Sequence, residues 1–153
     1  MYNFPPYWNL RDYEVEGQIG LEETVKEYLN NLIKIFDEVK RVLKEEGSLW
    51  INIGDKYSNN NKEVLKGSLI GIPDRFKINM IDNKWICRNE IIWHKPNAMP
   101  SSVKTRFNND YEKLFFFTKS KNYYFKTQYE NAKTKYIKNI KNNDENKFSK
   151  EYI

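Results

Sequence analysis

The sequence has few of the residues that mark secreted, membrane-spanning or metal-binding proteins. It contains one cysteine, Cys87, in 153 residues, which excludes an internal disulfide framework and fits a reducing compartment. One cysteine and one histidine are too few for a zinc site of the usual kind, so we expect no metal. No apolar run approaches the roughly 18 residues that span a bilayer, and no secretory signal is visible. We therefore expect a cytoplasmic protein with no membrane partner.

The chain does have enough apolar and aromatic residues for one folded domain. Hydrophobic residues make up 39% and aromatic residues 16%, which is not a disordered composition. The net charge of +5 lies in residues 119–153, where nine lysines accompany four acidic residues, because residues 1–118 carry 17 charges of each sign. A basic tail can assist binding to a phosphate backbone. A solvated, partly disordered Lys/Asn-rich end is an equally good interpretation.

The apolar pattern indicates an α/β fold. Leu49, Trp50, Ile51 and Ile53 form a nearly continuous apolar run, which is typical of a buried strand. The predicted elements, in order, are a helix at about 22–45, a strand at 48–54, a helix at about 73–81, strands at about 85–93 and 111–118, and a hairpin turn at 119–122 leading into 123–125. We expect a partial Rossmann-like sheet of about four strands, mixed in direction, with helices on its faces.

The segment Phe4-Pro5-Pro6-Tyr7-Trp8 carries the most specific functional signal. Two prolines fix two φ angles near −65° and remove two N–H donors, and they keep the preceding residue extended. A strand end that runs into such a turn can hold a flat heterocycle, because a carbonyl accepts from an exocyclic amine while an aromatic ring stacks on the base. Taken alone, the segment is more simply a proline turn with two surface aromatic residues.

In its context, this segment resembles the catalytic loop of the DNA amino-methyltransferases, which methylate cytosine N4 or adenine N6. In that family the loop reads Asp, Asn or Ser, then Pro-Pro, then Tyr, Phe or Trp. The resemblance covers about residues 2–125 and continues in order through Gly17–Glu22, Gly47–Asp55, Gly71–Pro73 and Ile91–Lys104.

The resemblance implies methyl transfer from S-adenosylmethionine to an amine of a base flipped out of double-stranded DNA, in an enzyme of restriction-modification type. It implies catalytic roles for Pro5, Pro6 and Tyr7, with the Pro5 carbonyl accepting from the amine and Tyr7 stacking on the base. Trp8 and Asp55 would shape the base pocket. An Asp that only starts the next turn is about as good an interpretation of Asp55. The target base, cytosine or adenine, stays open.

A long loop at 94–109 provides the expected DNA contacts. Long loops in compact domains are usually functional or disordered, and Lys, Arg and Ser suit phosphate contacts. The predicted DNA-binding residues are His94, Lys95, Asn97, Ser101, Lys104 and Arg106, of which His94 and Asn97 would reach a base edge. A lone His after a strand is usually structural, and it is the resemblance that favours a DNA contact by His94.

Two departures from the family pattern bear on activity. Phe4 stands where the family has a polar acceptor, which predicts weak or no activity, since losing one such oriented contact costs on the order of 10²–10³ in rate. None of the six glycines forms the Gly-x-Gly of the family's cofactor-binding turn. We therefore expect residues 1–125 to be the catalytic half of a methyltransferase, truncated, followed by a basic tail at 126–153 that is partly disordered.

Three hypotheses follow. The first is a DNA amino-methyltransferase that associates with a missing half or forms a homodimer. The second is a catalytically inactive nucleic-acid-binding remnant of such an enzyme. The third, a related methyltransferase acting on RNA or on a protein amide, is disfavoured by the 94–104 segment, which resembles the DNA enzymes.

Overall fold

The computed structural model describes residues 1–59, 63–131 and 150–152, and it divides into two units, Met1–Tyr123 and Tyr124–Ile153. The first unit contains, in chain order, β1 (Tyr2–Asn3), α1 (Val25–Val42), β2 (Ser48–Ile53), α2 (Ile72–Asp82), β3 (Ile86–His94) and β4 (Tyr111–Thr118). In the second unit, β5 (Tyr129–Asn131) pairs antiparallel with β6 (Lys150–Tyr152). Within the described ranges, no helix has the length and apolarity needed to cross a membrane.

The first unit is built on one mixed sheet in the order β1-β2-β4-β3. The strand β1 pairs in parallel with β2, placing Tyr2 opposite Trp50 and Asn3 opposite Ile51. The strand β4 pairs antiparallel with β2 on one side and with β3 on the other. The expected four-stranded mixed α/β sheet is therefore confirmed.

The predicted hairpin from β4 into residues 123–125 is wrong. Residues 119–122 do bend, but no strand follows at 123–125. The reason is that β4 lies inside the sheet, so both of its edges already carry partners and no edge is free for a hairpin strand.

The main core lies between the sheet and the two helices. Alternate residues of β2 (Leu49, Ile51 and Ile53) are fully buried, as are Phe115 and Phe117 on β4. From α2, Phe76 contacts both of these β4 rings, and Phe36 from α1 meets Phe76 edge-on at 5.4 Å. The helices therefore pack on the same face of the sheet. Their side chains share one core with β2, the strand whose end borders the site.

The first helix begins later than its charge pattern predicted. Thr24 is the N-cap of α1 and forms a capping box with Glu27, which satisfies backbone donors that the helix leaves unpaired. Glu22, predicted to lie in the first turn, instead accepts hydrogen bonds from Gly20 N and Asn31 Nδ2. It ties the entry loop to the helix.

The predicted basic tail lies mostly outside the described residues. The partial disorder expected there concerns 132–149 and 153, which the structure does not describe. The boundary near 125 stays a prediction.

Candidate functional site

The two prolines follow β1 after one residue, Phe4, at the end where the parallel strands β1 and β2 finish. Pro5 is buried and Pro6 is exposed. The buried Tyr28 of α1 donates its hydroxyl to the Pro6 carbonyl at 2.7 Å. Among residues 1–59, 63–131 and 150–152, none donates a hydrogen bond to the Pro5 carbonyl. One carbonyl of the turn is therefore fixed to the core by a buried side chain.

The ring of Tyr7 is held by two contacts to β2 and its end. Its hydroxyl donates to Asn52 Oδ1 at 3.0 Å, while Asn52 Nδ2 donates to the Lys113 carbonyl at 3.3 Å. A Cβ added at Gly54 would lie 2.7 Å from Tyr7 Cε2, so this close approach requires glycine. Burial, aided by the nearby Glu112 carboxylate, raises the pKa of Tyr7 well above its ordinary value. Tyr7 is therefore a neutral, oriented ring that is half-buried.

Trp8 completes the turn on the core side. Its side chain is 3% exposed, and its indole Nε1 donates to the Glu22 carbonyl at 2.9 Å. Gly20 lies against the same segment: its carbonyl accepts a hydrogen bond from Asn9 N at 2.6 Å, and its φ is +107°. Only glycine adopts that backbone conformation without strain. Trp8 lines the adjacent cleft, and its predicted role in shaping a base pocket stays a prediction.

A cleft of about 280 Å³ opens beside this turn. Its walls include two aromatic residues of the turn and four charged residues: Tyr7, Trp8, Asp55, Lys56, Lys95 and Glu112. Lys56 Nζ donates to the Asn9 carbonyl at 3.0 Å, and burial lowers its pKa. A flat ring face with hydrogen-bonding groups around it is the environment that a nucleobase requires.

Asp55 has a defined structural role. Its carboxylate accepts from the backbone N–H groups of Gly71, Ile72 and Lys56 at 2.9–3.1 Å. It thereby caps the N-terminus of α2 from the end of β2, as carboxylates at this position generally do. Asp55 also lines the cleft, so its predicted contact with a base stays a prediction beside an evident capping role.

The loop between β3 and β4 is closed at its base and fastened once near its end. His94 Nε2 lies 3.6 Å from Asp110 Oδ2, and Lys95 forms an ion pair with Glu112. Further along, the Arg106 guanidinium lies over the Tyr57 ring, 3.5 Å from its centroid. Three residues of the predicted DNA-binding set are therefore engaged within the chain, and Lys95 also lines the cleft.

The other three residues of that set face solvent. Asn97, Ser101 and Lys104 are exposed. Ser101 also has a local role: its N–H donates to Asn108 Oδ1 at 2.9 Å, and its Oγ accepts from Val103 N at 3.2 Å. The DNA contacts predicted for these three residues stay predictions.

Phe4, at the predicted acceptor position, has an apolar ring that is exposed to solvent. It is 62% exposed and meets Trp93 edge-on, with ring centroids 6.5 Å apart. Asn3, the nearest polar residue, pairs with Ile51, whose side chain points into the core. Facing residues of paired strands share one side of the sheet, so Asn3 does not replace the acceptor.

Comparison with known proteins agrees with this geometry. The family described as DNA methylase matches residues 1–152. The chain belongs to this family. It is 44% identical to the type II methyltransferase M.Cfr9I of Citrobacter freundii, over 79% of the chain and 48% of that protein. It is 43% identical to the type II methyltransferase M.XycI of Xanthomonas campestris pv. cyanopsidis, over 81% of the chain and 49% of that protein. The chain thus spans about half the length of these curated relatives.

Solved structures share the fold. PvuII DNA methyltransferase, described as cytosine-N4-specific, aligns with a TM-score of 0.61 at 22% identity, over 83% of this chain and 44% of that one. A proposed DNA modification methylase from Thermus thermophilus, complexed with S-adenosyl-L-methionine, aligns with a TM-score of 0.57 at 25% identity, over 82% of this chain and 46% of that one.

Sequence reasoning missed the residues that hold the turn of this family member in place. Asn52 lies on β2 and Tyr28 lies on α1, and each forms a hydrogen bond with the turn. Asn52 gave a signal, because a polar residue interrupts an otherwise apolar buried strand. Glu112 lines the cleft from the start of β4. That strand was predicted from the apolar residues at its other end, so the sequence gave no signal for Glu112.

Proposed function

We propose that this chain is the base-binding half of a DNA amino-methyltransferase, acting on cytosine N4 or adenine N6. The observation that carries the proposal is the turn itself: Tyr7 presents an oriented ring at a cleft of about 280 Å³, and the carbonyl of the nearby Pro5 accepts no hydrogen bond from the described residues. The membership of the DNA methylase family supports the reaction class.

The proposed mechanism is one of positioning. An exocyclic amine is a poor nucleophile because its lone pair is conjugated with the base. The Pro5 carbonyl would accept one amine hydrogen, and Tyr7 would stack on the base, a contact worth roughly 1–3 kcal/mol. Together they would turn the lone pair toward the methyl donor. The chain would contribute orientation and electrostatics without a covalent intermediate.

The methyl donor would be S-adenosylmethionine, which supplies an electrophilic methyl group when bound. The described residues fit only part of such a molecule. A second cleft, of about 300 Å³, lies on the Pro5 side of the turn and is lined by Phe4, Tyr7 and Tyr13 with Arg11. These two clefts are at the lower limit for a ligand of this size, and a third, of about 540 Å³, lies beside Trp8 and Lys56. The sequence contains no Gly-x-Gly turn, so the proposed roles of the residues named here concern the base.

We propose that double-stranded DNA is the substrate, that the chain works in the cytoplasm, and that it associates with a complementary half or a second copy. The strand β1 has only two residues and lies at one end of the described sheet. Such an edge offers backbone groups to another strand. A strand added beside β1 would extend the sheet at the point where the turn begins.

Restoring the polar acceptor tests the proposal. We would measure transfer of tritiated methyl groups to unmethylated genomic DNA by the wild-type chain and by Phe4→Asp. Wild type should be weak or inactive, and Phe4→Asp should raise transfer by about 10²–10³. Adding Tyr7→Ala to Phe4→Asp should remove the gain. A Phe4→Asp protein that binds both DNA and S-adenosylmethionine but transfers no more than wild type would contradict catalysis by this chain.

The exposed apolar Phe4 favours a second candidate, an inactive nucleic-acid-binding remnant. Under that hypothesis the chain binds DNA, and neither variant transfers methyl groups. The two candidates therefore differ in the response to Phe4→Asp and agree on DNA binding.

A further inference from the structure

We propose that Phe107 is a wedge that fills the space left in a DNA duplex when a base leaves the stack for the cleft. This inference rests on the proposed function, since it needs DNA as the ligand. The first observation is the exposure of Phe107: its side chain is 95% exposed, although phenylalanine side chains are usually buried.

Phe107 is held in this exposed position by its two neighbours. On one side, Arg106 lies over the Tyr57 ring at 3.5 Å. On the other side, Asn108 accepts from Ser101 N through its Oδ1 at 2.9 Å. Single exposed apolar residues are common on protein surfaces, but a ring fastened on both flanks has little freedom to fold back onto the protein. The loop therefore presents Phe107 outward.

The two flanks also connect Phe107 to the cleft. Tyr57, on which Arg106 stacks, lines the cleft, and so does Asn109, two residues after Phe107. The ring is thus carried by a segment that forms one side of the opening through which a base would enter. Lys104, exposed three residues earlier, adds a positive charge suited to the adjacent phosphates.

Apolar side chains inserted between base steps are a general way for proteins to stabilise distorted DNA. Extruding a base breaks its stacking on both neighbours, at a cost of a few kcal/mol. An aromatic ring in the vacated space would restore stacking to those neighbours and slow the return of the base. The reaction itself needs no chemistry from Phe107, so it is a positioning residue.

The test uses the full chain and two short duplexes that differ only in one abasic site, with 2-aminopurine beside that site as a fluorescent base. Because the gap exists before binding, the recognition sequence need not be known. We expect wild type to bind the abasic duplex roughly tenfold more tightly than the intact one, and to quench the 2-aminopurine by stacking. Phe107→Ala should lose both the preference and the quenching, whereas Phe107→Trp should keep them.

Met99→Ala is the matched control, because Met99 is 91% exposed in the same loop and is not assigned to the wedge. It should behave as wild type. Retention of the preference by Phe107→Ala would overturn the wedge, as would a wild type that binds both duplexes equally; in that case DNA binding, and with it the proposed function, would stand. A wild type that binds neither duplex would overturn the wedge and the DNA substrate together.

Discussion

The turn at 5–8 and the loop at 95–109 both reach the same cleft, but they are held in opposite ways. The turn is fastened by hydrogen bonds from distant elements, Tyr28 on α1 and Asn52 on β2, both of which are buried. The loop is fastened at its base by the Lys95–Glu112 ion pair and the His94–Asp110 contact, and further along by the Arg106–Tyr57 contact. Most of its side chains face solvent.

This difference indicates a division of roles. Buried hydrogen bonds lose much when broken, because an unpaired partner remains in the core, so the turn keeps one geometry before any ligand arrives. Surface ion pairs contribute little and yield to salt, so the loop is held less firmly than the turn. A firmly held turn suits orientation of a reacting group, and an exposed loop suits contact with a large ligand.

The largest expected effect comes from breaking the turn at Gly54. In Gly54→Ala, the new Cβ would lie 2.7 Å from Tyr7 Cε2, and the ring must leave its position. We expect a loss of about 3 kcal/mol in the free energy of unfolding, typical of overpacking, measured by urea denaturation. In a Tyr7→Ala background, Gly54→Ala should cost much less than it does in wild type, since the clash needs both side chains. If Gly54→Ala lowers the free energy of unfolding equally in wild type and in the Tyr7→Ala background, the contact between Gly54 and the Tyr7 ring is unimportant.

A smaller effect is expected at Tyr28. Tyr28→Phe removes the hydroxyl that pairs with the Pro6 carbonyl and should cost about 1.5 kcal/mol of unfolding free energy. Tyr13→Phe is the matched control, because Tyr13 is 56% exposed, and it should leave stability unchanged. Similar changes of melting temperature in the two variants would contradict a stabilising role of the Tyr28 hydrogen bond to the turn.

The same residue predicts a response to alkaline pH. Burial raises the pKa of the Tyr28 hydroxyl above its ordinary value near 10. The folded state therefore keeps a proton that the unfolded chain releases, so this stabilisation is complete below pH 10 and is lost as pH rises above it. One such group changes the unfolding free energy by up to about 1.4 kcal/mol per pH unit. Melting temperatures above pH 10 should fall less steeply in Tyr28→Phe than in wild type.

The smallest structural effect should come from the loop. Arg106→Ala removes the contact with Tyr57 and should cost about 0.5–1 kcal/mol at most, visible as faster amide exchange confined to residues 96–108. Lys104→Ala, at an exposed position, should leave that exchange unchanged and reduce the salt dependence of DNA binding by about one phosphate contact. If both variants exchange like wild type, the loop is not fastened by Arg106.

Much of the fold was predictable from the sequence because its elements have strong local patterns. The span of β4 was predicted to the residue, since Leu114–Phe117 forms a continuous apolar run. The start of α1 was misjudged because two acidic residues were read as its first turn, while the capping box of Thr24 and Glu27 decides where the helix begins. The hairpin was wrong because strand order depends on pairing between distant segments, which local turn chemistry does not encode.

The site was predictable only where residues are close in sequence. The turn residues Pro5, Pro6 and Tyr7 lie together in the chain and resemble a known motif. Their supports come from 22 residues away at Tyr28 and 45 residues away at Asn52. A hydrogen bond between such distant residues depends on the packing of α1 and β2, so no local pattern announces it. The predicted contacts of Trp8, Asp55 and the loop residues with DNA stay predictions.

The central claim is that the turn grips a base outside its stack, and the most direct measurement is the affinity of Tyr7 variants for an extruded base. We would titrate wild type, Tyr7→Phe and Tyr7→Ala with a short duplex carrying one unpaired cytosine or adenine and with its fully paired counterpart. Stacking worth roughly 1–3 kcal/mol predicts that Tyr7→Ala binds the unpaired-base duplex about 5- to 150-fold more weakly than wild type, with a smaller change for the paired duplex, while Tyr7→Phe stays near wild type. Equal affinities of wild type and Tyr7→Ala for the unpaired-base duplex would contradict the account.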